Sequence, residues 1–427
     1  MEAYGALCLN AKSSAISNCT TLVASENVRV IASGGGKFGG FAGNSINSTI
    51  VNCINNLSME LSATSYLWGG GIVGNIEGGS VSGCTNNAVI TGVYAGGIAG
   101  QIMDATLSSN LNAGNIIGQE VVGGIVASIT DGIVLVDKCM NIAEIFATNQ
   151  GCRFVSIGGI VGFNSITNYI NIIPNRTNSE SQRNSQIANL TISNCANYGS
   201  FTDLSMQLGG LFGNGLANMS NNVSVPQFSG VNAEGNLFNY IYATVATSED
   251  EYSELNITET DDFFDEQVTD LRVDSLRLKY SSRGTGKPTT EMVGSALESS
   301  LSANWNYSAG LYPMPAGIPE NNRTIAARIP IYFAQDESSA SIMSDFTLPT
   351  SILGHNVSWV SSNPNVISIS GGRATVTRPG WGEPDEEVTL TATYEGVTKT
   401  FVVLVISPKI LPVNTYGTYV ESDSVSM

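Results

Sequence analysis

The side chains of this 427-residue protein with the most distinctive chemistry are seven cysteines and a single histidine. The histidine is His355, so a zinc site with several histidines is excluded, and a Ser-His-Asp triad would depend on this one residue. No serine, cysteine or carboxylate stands at a useful spacing from it, which favours a structural or solvent-exposed side chain. The motifs HExxH and CxxC are absent from the sequence, so neither a zinc-peptidase centre nor a dithiol redox site is expected.

Five of the cysteines recur at one position of a repeated pattern: Cys19, Cys53, Cys84, Cys139 and Cys195. If the repeats stack as β-strands, neighbouring cysteines lie about 4.8 Å apart, a distance that does not by itself exclude disulfides. Asparagine replaces cysteine at position 110, however, and the spacings do not suggest pairs. We therefore expect a column of buried thiols that pack as small apolar side chains.

Acidic side chains are concentrated in one run, because residues 246–270 contain ten of them and no basic one. A calcium site in this run would use Asp261, Asp262, Asp265 and Glu266. The Asp-x-Asp-x-Asn-Gly spacing of a calcium loop is absent, and a solvated linker or a distorted last coil is the favoured interpretation.

Composition excludes several classes of function. The net charge is −18, and the sequence has no basic patch to neutralise phosphates, so nucleic-acid binding is not expected. No run of 18 apolar residues occurs, so membrane insertion is not expected. Only 13% of the residues are charged and 42% are hydrophobic, which indicates large packed cores and not disorder.

The elements that position these side chains are set by a repeat with two signatures. The first is Gly-Gly-apolar-apolar-Gly, found at residues 39–43, 70–74, 96–100, 158–162 and 209–213, with a near copy at 123–127. The second is apolar-x-x-Cys-x-Asn, whose Cys position follows the second glycine by 13 residues in three successive copies. A period of about 26–31 residues, with short β-prone runs and no helical spacing, predicts an all-β fold: a right-handed parallel β-helix over residues 1–245. We expect glycine and asparagine at its corners.

The pattern GGIVG…SVSGCTNNAVITG resembles the GLUG repeats of bacterial surface proteins, including those beside IgA-specific metallopeptidases. The resemblance covers residues 5–240. It implies an extracellular protein, secreted or attached to the bacterial cell surface, and it implies no catalytic residue. The first ten residues lack the features of a signal peptide, and we interpret the chain as a piece of a longer protein.

Four further segments follow the repeats. We expect an acidic connector or last distorted coil over 246–286, and a segment over 287–325 that caps the β-helix. In that segment Trp305 and Tyr312 are interpreted as core anchors, and less favourably as a sugar-stacking platform. Residues 326–406 alternate as strands and predict a small β-sandwich. Through DFTLPTSILGHNVSWVSSNPNVISI and VTLTATYEGVTKTF they resemble the atrophied bacterial Ig-like domain, and 407–427 is a linker tail.

These features predict a non-catalytic, stalk-like or adhesin-like region of a large bacterial surface protein, with no cofactor. The expected partners are a host or bacterial glycan or protein, and the upstream and downstream domains of the same parent chain. A polar insertion at residues 169–186 is the favoured contact segment, because long loops on rigid scaffolds tend to carry function. One alternative is an accessory region of a secreted carbohydrate-active enzyme or IgA-type peptidase. Another is a glycan-cleaving β-helix in which Asp104, Asp131 and Asp137 converge by stacking.

Overall fold

The protein was analysed as a computed structural model that describes residues 2–23, 29–32, 34–62, 67–148, 156–164, 190–202, 207–214, 217–229, 237–239, 259–268, 284–410 and 421–422. Within these residues the protein is all-β, with a short helix α1 (Asn322–Ala327) and a 3-10 turn at Thr289–Glu291. No helix in the described part is long and apolar enough to cross a membrane.

Three parallel sheets, here called A, B and C, account for the strands of the repeat region. Sheet A contains β1 (Glu2–Gly5), β4 (Arg29–Ala32), β5 (Gly36–Gly39), β8 (Ser58–Leu61), β9 (Leu67–Gly70), β12 (Ile90–Gly96), β16 (Ile116–Gly123), β20 (Glu144–Ala147), β21 (Ser156–Gly158), β25 (Ser200–Thr202), β26 (Gln207–Gly209), β30 (Gln227–Ser229) and β31 (Leu237–Asn239). Sheet B contains β2 (Cys8–Lys12), β3 (Ala15–Ser17), β6 (Ala42–Val51), β10 (Val73–Ser82), β13 (Ala99–Met103), β14 (Thr106–Ser108), β17 (Val126–Asp131), β18 (Val134–Asp137), β22 (Val161–Asn164), β23 (Leu190–Ser193), β27 (Phe212–Asn214), β28 (Asn218–Ser220) and β32 (Glu259–Thr260). Sheet C contains β7 (Ile54–Asn55), β11 (Thr85–Asn86), β15 (Leu111–Asn112), β19 (Met140–Asn141), β24 (Ala196–Asn197), β29 (Val223–Ser224), β33 (Phe263–Asp265) and β34 (Thr285–Lys287).

Each repeat sends its chain through sheets A, B and C in turn, and each strand pairs in parallel with the equivalent strand of the next repeat. In sheet B, for example, Val73 pairs with Ala99, and Ala99 pairs with Val126. The predicted stacking of short parallel strands is therefore confirmed. Strands β32 and β33 extend the same pairing into the acidic run, where Glu259–Thr260 pairs in sheet B and Phe263–Asp265 pairs in sheet C.

The repeated glycines are required at the corner between sheets A and B. A Cβ atom added at Gly71 would lie 2.1 Å from the carbonyl oxygen of Gly97 and 2.4 Å from Cγ of Asn86. Distances this short are not tolerated by any side chain, so the corner accepts only glycine. The predicted placement of glycine at corners is confirmed, and its cause is contact with the next coil and with a buried asparagine.

That asparagine belongs to a ladder of five fully buried amides along sheet C: Asn55, Asn86, Asn112, Asn141 and Asn197. At each step Nδ2 of one side chain donates to Oδ1 of the next at 2.8–3.0 Å. The side chain of Asn86 also bonds both backbone groups of Ala88, at 2.9 and 3.2 Å. Because each amide is paired within and between coils, the ladder sets the register of the stack without leaving unpaired polar groups.

The turn from sheet B to sheet C puts the residue before each Cys position in the left-handed backbone region. The φ angle is +53° at Asn52, +61° at Gly83 and +52° at Asn194. Asparagine and glycine adopt this conformation more readily than other residues, so the expectation of asparagine at corners is confirmed here.

The cysteines after these turns are free thiols, and Cys53, Cys84, Cys139 and Cys195 are buried. The backbone N–H of Cys53 lies 3.4 Å from Sγ of Cys84, and that of Cys139 lies 3.4 Å from Sγ of Cys195. Burial raises the pKa of the Cys195 thiol well above its ordinary value. The predicted column of buried thiols is confirmed for these four cysteines, whereas Cys19 is only half-buried.

The last part of the described chain covers sheet C and continues into two antiparallel sheets. A hairpin, β35 (Trp305–Asn306) with β36 (Met314–Pro315), lies in the covering segment. The first sheet contains, in spatial order, β37 (Phe346–Thr347), β41 (Arg373–Val376) and β40 (Ile367–Ser370). The second contains, in spatial order, β38 (Ser351–Ile352), β39 (His355–Ser361), β42 (Glu386–Tyr394) and β43 (Val397–Val405). A final pair joins β44 (Lys409–Ile410) to β45 (Glu421–Ser422). Trp359 packs on Phe401 between the strands, with ring centroids 5.6 Å apart.

The covering segment contacts sheet C from the side. The Tyr198 hydroxyl donates to the carbonyl oxygen of Pro313 at 2.5 Å, and Oγ of Ser302 donates to Oδ1 of Asn194 at 2.6 Å. The rings of Tyr198 and Tyr312 stack with centroids 5.7 Å apart. The outer residues of sheet C become buried from Leu111 onward, where this cover begins, whereas the equivalent Ile54 is exposed.

Candidate functional site

A cleft of about 460 Å³ lies between sheet A, helix α1 and the first half of β43. It is a candidate site because three separate parts of the chain converge on it with polar groups. The residues that line it are Ala113, Asn115, Ile142, Ala143, Glu144, Tyr198, Gly199, Ser200, Gln227, Arg323, Ala326, Ala327, Gly396, Val397, Thr398, Lys399 and Thr400.

The floor of the cleft is a row of polar side chains at the start of successive sheet A strands. Glu144, Ser200 and Gln227 occupy equivalent register positions, and Asn115 stands in the same position one coil earlier. Asn115, Glu144 and Ser200 each precede a buried apolar residue, as Glu144 precedes Ile145, and strand alternation therefore turns these polar side chains outward. The row is spaced at about 4.8 Å, the distance between paired strands.

Glu144 is the only carboxylate that lines the cleft among the described residues. Its Oε1 accepts a hydrogen bond from the Thr202 hydroxyl at 2.6 Å, and its Oε2 accepts one from Nδ2 of Asn115 at 3.3 Å. Both carboxylate oxygens are thus held in place by neighbours on adjacent coils. The arrangement can accept hydrogen bonds from a ligand, and it presents one negative charge.

Gln227 carries the unusual feature of the floor. Its side chain is only 6% exposed, yet Nε2 has no hydrogen-bond partner among the described residues. The backbone N–H of Gln227 is paired with the carbonyl oxygen of Gly199 at 3.0 Å, so the position itself is well ordered by the sheet. An unpaired buried amide is costly, and Gln227 is one of the residues that line the cleft.

One wall is helix α1, which is anchored to the coils by Arg323. The guanidinium donates to Oδ1 of Asn87 at 2.8 Å and to the carbonyl oxygen of Ala113. The helix begins with a capping box, in which the Asn321 side chain and Thr324 bond each other's backbone N–H groups. Burial lowers the pKa of Arg323, but arginine stays protonated.

The other wall is β43, whose Lys399 is buried between the exposed Thr398 and Thr400. Its Nζ donates to the carbonyl oxygens of Ala327 at 2.7 Å and Ile329 at 3.0 Å. Burial lowers the pKa of Lys399 to about 7. The ammonium therefore joins the Ig-like domain to the end of helix α1 through charge-assisted hydrogen bonds.

A buried acid stands behind this wall. Asp265, at the end of β33, accepts from the Tyr312 hydroxyl at 2.7 Å and from the backbone N–H groups of Gln267 and Val268 at 2.9 and 3.1 Å. Burial raises its pKa to about 6, although these hydrogen bonds oppose the shift. Asp265 and Lys399 attract each other electrostatically across the junction of sheet C and the Ig-like domain.

The calcium hypothesis is not supported by this geometry. Oδ1 of Asp262 accepts from the backbone and side chain of Asn222 at 2.9 and 2.8 Å, while Asp265 faces Tyr312. In the described part of the chain no group of three or more histidine, cysteine or acidic side chains could hold a metal ion.

Two of the three acids singled out in the sequence lie on stacked neighbouring coils, where the backbone N–H of Asp104 donates to the carbonyl oxygen of Asp131 at 3.4 Å. Their carboxylates accept from the adjacent backbone N–H groups of Ile133 and Gly132, each at 2.8 Å, while that of Asp137 accepts from the Ser193 hydroxyl at 2.9 Å. His355 is exposed, as expected, with Nδ1 3.0 Å from Oε1 of Glu395, a neighbour that sequence spacing did not indicate.

Two further expectations concern contact surfaces. Trp305 and Tyr312 are 5% and 0% exposed, so core packing is confirmed and neither ring can stack on a sugar. The polar insertion at residues 169–186 lies outside the described residues.

Sequence reasoning missed the cleft because its polar residues do not share a residue type. Asn115, Glu144, Ser200 and Gln227 occupy one structural column, but only the strand register reveals it. The available signal was their common position immediately before an apolar strand residue, and such positions are common in any half-buried strand.

The geometry defines an all-β region in which parallel repeat sheets carry an Ig-like domain on their side. Residues 323–407 match the family model of the atrophied bacterial Ig domain, which confirms the predicted resemblance for that part of the chain. Among solved structures, a chain described as "IgA1 Protease" is similar over 75% of this chain and 24% of that chain, with 13% identity and a TM-score of 0.37. This chain thus spans about a quarter of the length of that protein. The comparison with curated proteins found no match.

Proposed function

We propose that this chain is a non-catalytic ligand-binding and presentation region of a bacterial cell-surface or secreted protein. On this proposal sheets A, B and C are the faces of a right-handed parallel β-helix built from GLUG-type coils, which acts as a stiff stalk. The atrophied Ig-like domain is fixed to the side of the stalk, and the cleft between them is the binding site. The observation that carries the proposal is the buried, unpartnered amide of Gln227 in that cleft.

The charge content of the cleft supports a binding role over catalysis. Hydrolysis of a glycosidic bond usually needs two carboxyl groups about 5–10 Å apart. The described lining offers Glu144 alone, and both of its oxygens are already hydrogen-bonded to Asn115 and Thr202. A group held in this way can orient a ligand but has no acidic partner for proton transfer.

The stiffness of the cleft also supports binding, because its walls are fastened to different parts of the chain. Arg323 joins helix α1 to the coils, and Lys399 joins β43 to the carbonyl end of that helix. Arg328, which is fully buried, adds hydrogen bonds to the carbonyl oxygens of Thr324 and Tyr312 at 3.0 and 3.1 Å. A site that is already assembled loses less conformational entropy when a ligand binds.

The substitution Gln227→Leu tests the proposal, because it separates a binding role from a structural one. Leucine removes an unpaired buried amide, so we expect the free energy of unfolding to stay equal or to rise by about 1 kcal/mol. Affinity for a cleft ligand should fall at least tenfold, since the free donor is lost. The matched control is Gln101→Leu on sheet B, outside the cleft.

The ligand is sought with a glycan array and a displayed library of random heptapeptides, and affinities are measured by calorimetry. A ligand that binds wild type and Gln227→Leu equally contradicts the assignment of the cleft. The absence of any ligand from both libraries contradicts the binding role itself.

A further inference from the structure

We propose that the ligand of the cleft is an extended polypeptide segment that adds as a strand to the free edge of β43. This inference rests on the proposed function and specifies its ligand class. β43 is the last strand of its sheet, in the order β38, β39, β42, β43, so one of its edges has no strand of that sheet beside it. The first half of this strand lines the cleft.

The direction of the free backbone groups follows from the hydrogen bonds of β42. The N–H of Ser362 donates to the carbonyl oxygen of Thr389 at 2.9 Å, so the peptide groups of Thr389 face β39. The backbone N–H and C=O groups of successive residues in a strand point alternately toward its two neighbouring strands. The peptide groups of Leu390 and Ala392 therefore face β43.

The register carries this alternation into β43. Leu390 pairs with Phe401, and Ala392 pairs with Lys399, so the peptide groups of Phe401 and Lys399 bond to β42. Those of Thr398 and Thr400 point away from β42, toward the free edge. The described residues provide them with no backbone partner.

The fold already uses the far half of the same edge for strand addition. The N–H of Leu404 donates to the carbonyl oxygen of Ser339 at 2.7 Å, and its carbonyl oxygen accepts from the N–H of Ile342 at 2.9 Å. Ile342 and Val405 form a parallel bridge. The backbone of β43 thus pairs with an added segment at Leu404, and the cleft is lined by the opposite end of the same strand.

The free part of the edge, Thr398 to Val402, is about 15 Å long and can pair with four or five residues of a ligand. It contains no proline, bulge or outward charge that would block pairing, because Lys399 is held on the buried face by the carbonyl oxygens of Ala327 and Ile329. A strand laid along it would lie beside the floor of the cleft, which includes Gln227.

A peptide fits these groups better than a glycan does. Sugar-binding clefts commonly stack the ligand on an exposed aromatic ring, and the lining described here contains a single ring, that of Tyr198, which is 2% exposed and bonded to Pro313. Main-chain donors and acceptors in alternation are, in contrast, the recognition element of strand addition.

Amide hydrogen exchange at single-residue resolution tests the inference on the intact chain. In the free protein, the amides of Thr398 and Thr400 should exchange about 100-fold faster than those of Lys399 and Phe401, which bond to β42. A saturating heptapeptide selected from the library should slow Thr398 and Thr400 at least tenfold and leave Lys399 and Phe401 unchanged. Equal protection of all four amides in the free protein would overturn the edge assignment.

A backbone substitution and a modified probe add an independent test. Thr400→Pro removes the edge N–H and should abolish peptide binding, while Thr400→Val keeps the main chain and should bind as wild type does. Should the proline variant not fold, two N-methylated versions of the selected peptide serve instead, one methylated at the odd-numbered residues and the other at the even-numbered residues. One of the two peptides should bind at least tenfold more weakly, because only one set of N–H groups faces β43. Equal binding of both peptides refutes strand addition.

The outcomes separate this inference from the proposed function. A glycan that binds wild type and is lost in Gln227→Leu would support the binding cleft and overturn the peptide. Self-association that is lost in Thr400→Pro and kept in Thr400→Val would identify a second copy of this chain as the strand donor. Absence of any ligand would refute both proposals.

Discussion

Replacement of Lys399 by methionine should remove a pH dependence that is built into the junction between the coils and the Ig-like domain. Lys399 is buried, and burial lowers its pKa from the usual 10.5 to about 7, although the negative charge of Asp265 partly opposes the shift. Between these two pH values the unfolded chain binds more protons at this side chain than the folded one. The free energy of unfolding therefore rises with pH across this window.

The magnitude follows from the two pKa values. A tenfold difference in proton affinity corresponds to about 1.4 kcal/mol, so the full window from pH 7 to 10.5 is worth about 5 kcal/mol. Between pH 7 and 9 the titration of Lys399 should raise the free energy of unfolding by about 2 kcal/mol, and this range can be measured before most other groups titrate. Below pH 7 the contribution is constant, because the side chain is protonated in both states.

Urea unfolding followed by tryptophan fluorescence at pH 6, 7, 8 and 9 measures this dependence. Wild type should gain about 2 kcal/mol between pH 7 and 9 relative to Lys399→Met. Methionine leaves the carbonyl oxygens of Ala327 and Ile329 without their donor, so the variant should lose about 1–3 kcal/mol at pH 9. Lys12→Met, at an exposed position, is the control. Parallel pH profiles for wild type and Lys399→Met would refute the reasoning.

Three other substitutions test the acid at the same junction and the structure of the coils. Burial raises the pKa of Asp265 from 3.8 to about 6, so between these pH values the folded chain binds more protons at this side chain than the unfolded chain does. Acidification from pH 6 to 4 should therefore stabilise wild type by about 2 kcal/mol relative to Asp265→Asn, as measured by urea unfolding. Gly71→Ala forces a Cβ atom against the next coil and should lower the free energy of unfolding by about 3 kcal/mol or more, as measured by thermal unfolding. Gly34→Ala is the control and should be neutral, because a Cβ atom there meets nothing within 4 Å. Equal losses for the two variants would contradict the corner assignment. Asn112→Ala breaks the ladder in its middle and should lower the free energy of unfolding by about 3 kcal/mol, against less than about 0.5 kcal/mol for the exposed Asn10→Ala. A loss as small at Asn112 as at Asn10 would show that the ladder does not stabilise the stack.

The repeat architecture could be predicted because its signals are local and occur many times. Gly71 and its equivalents mark one corner, and Asn86 and its equivalents mark the next strand, always in the same phase. Each coil meets the same steric and hydrogen-bonding demands from its neighbours, so the same residue types return at the same positions. The buried thiols and the left-handed corner asparagines follow from the same phase.

The roles within that repeat were less predictable. Asparagine was expected at corners for its backbone freedom, which holds at Asn52 and Asn194. The ladder asparagines, such as Asn112, are instead selected for side-chain bonds between coils. A sequence records that a position repeats, whereas the partner of each amide depends on which atoms the stacked neighbour brings within reach.

The sequence by itself determined the parallel stacking, the thiol column and the Ig-like module, because each rests on periodic burial that is legible along the chain. Tertiary structure alone determined the cleft. Gln227, Arg323 and Thr400 are far apart in sequence and share no motif, and they meet because the Ig-like domain is fastened to the side of the coils through Lys399 and helix α1. The free edge of β43 has the same origin: a strand's own residues do not state whether a neighbour will pair with it, and that depends on where the rest of the chain folds.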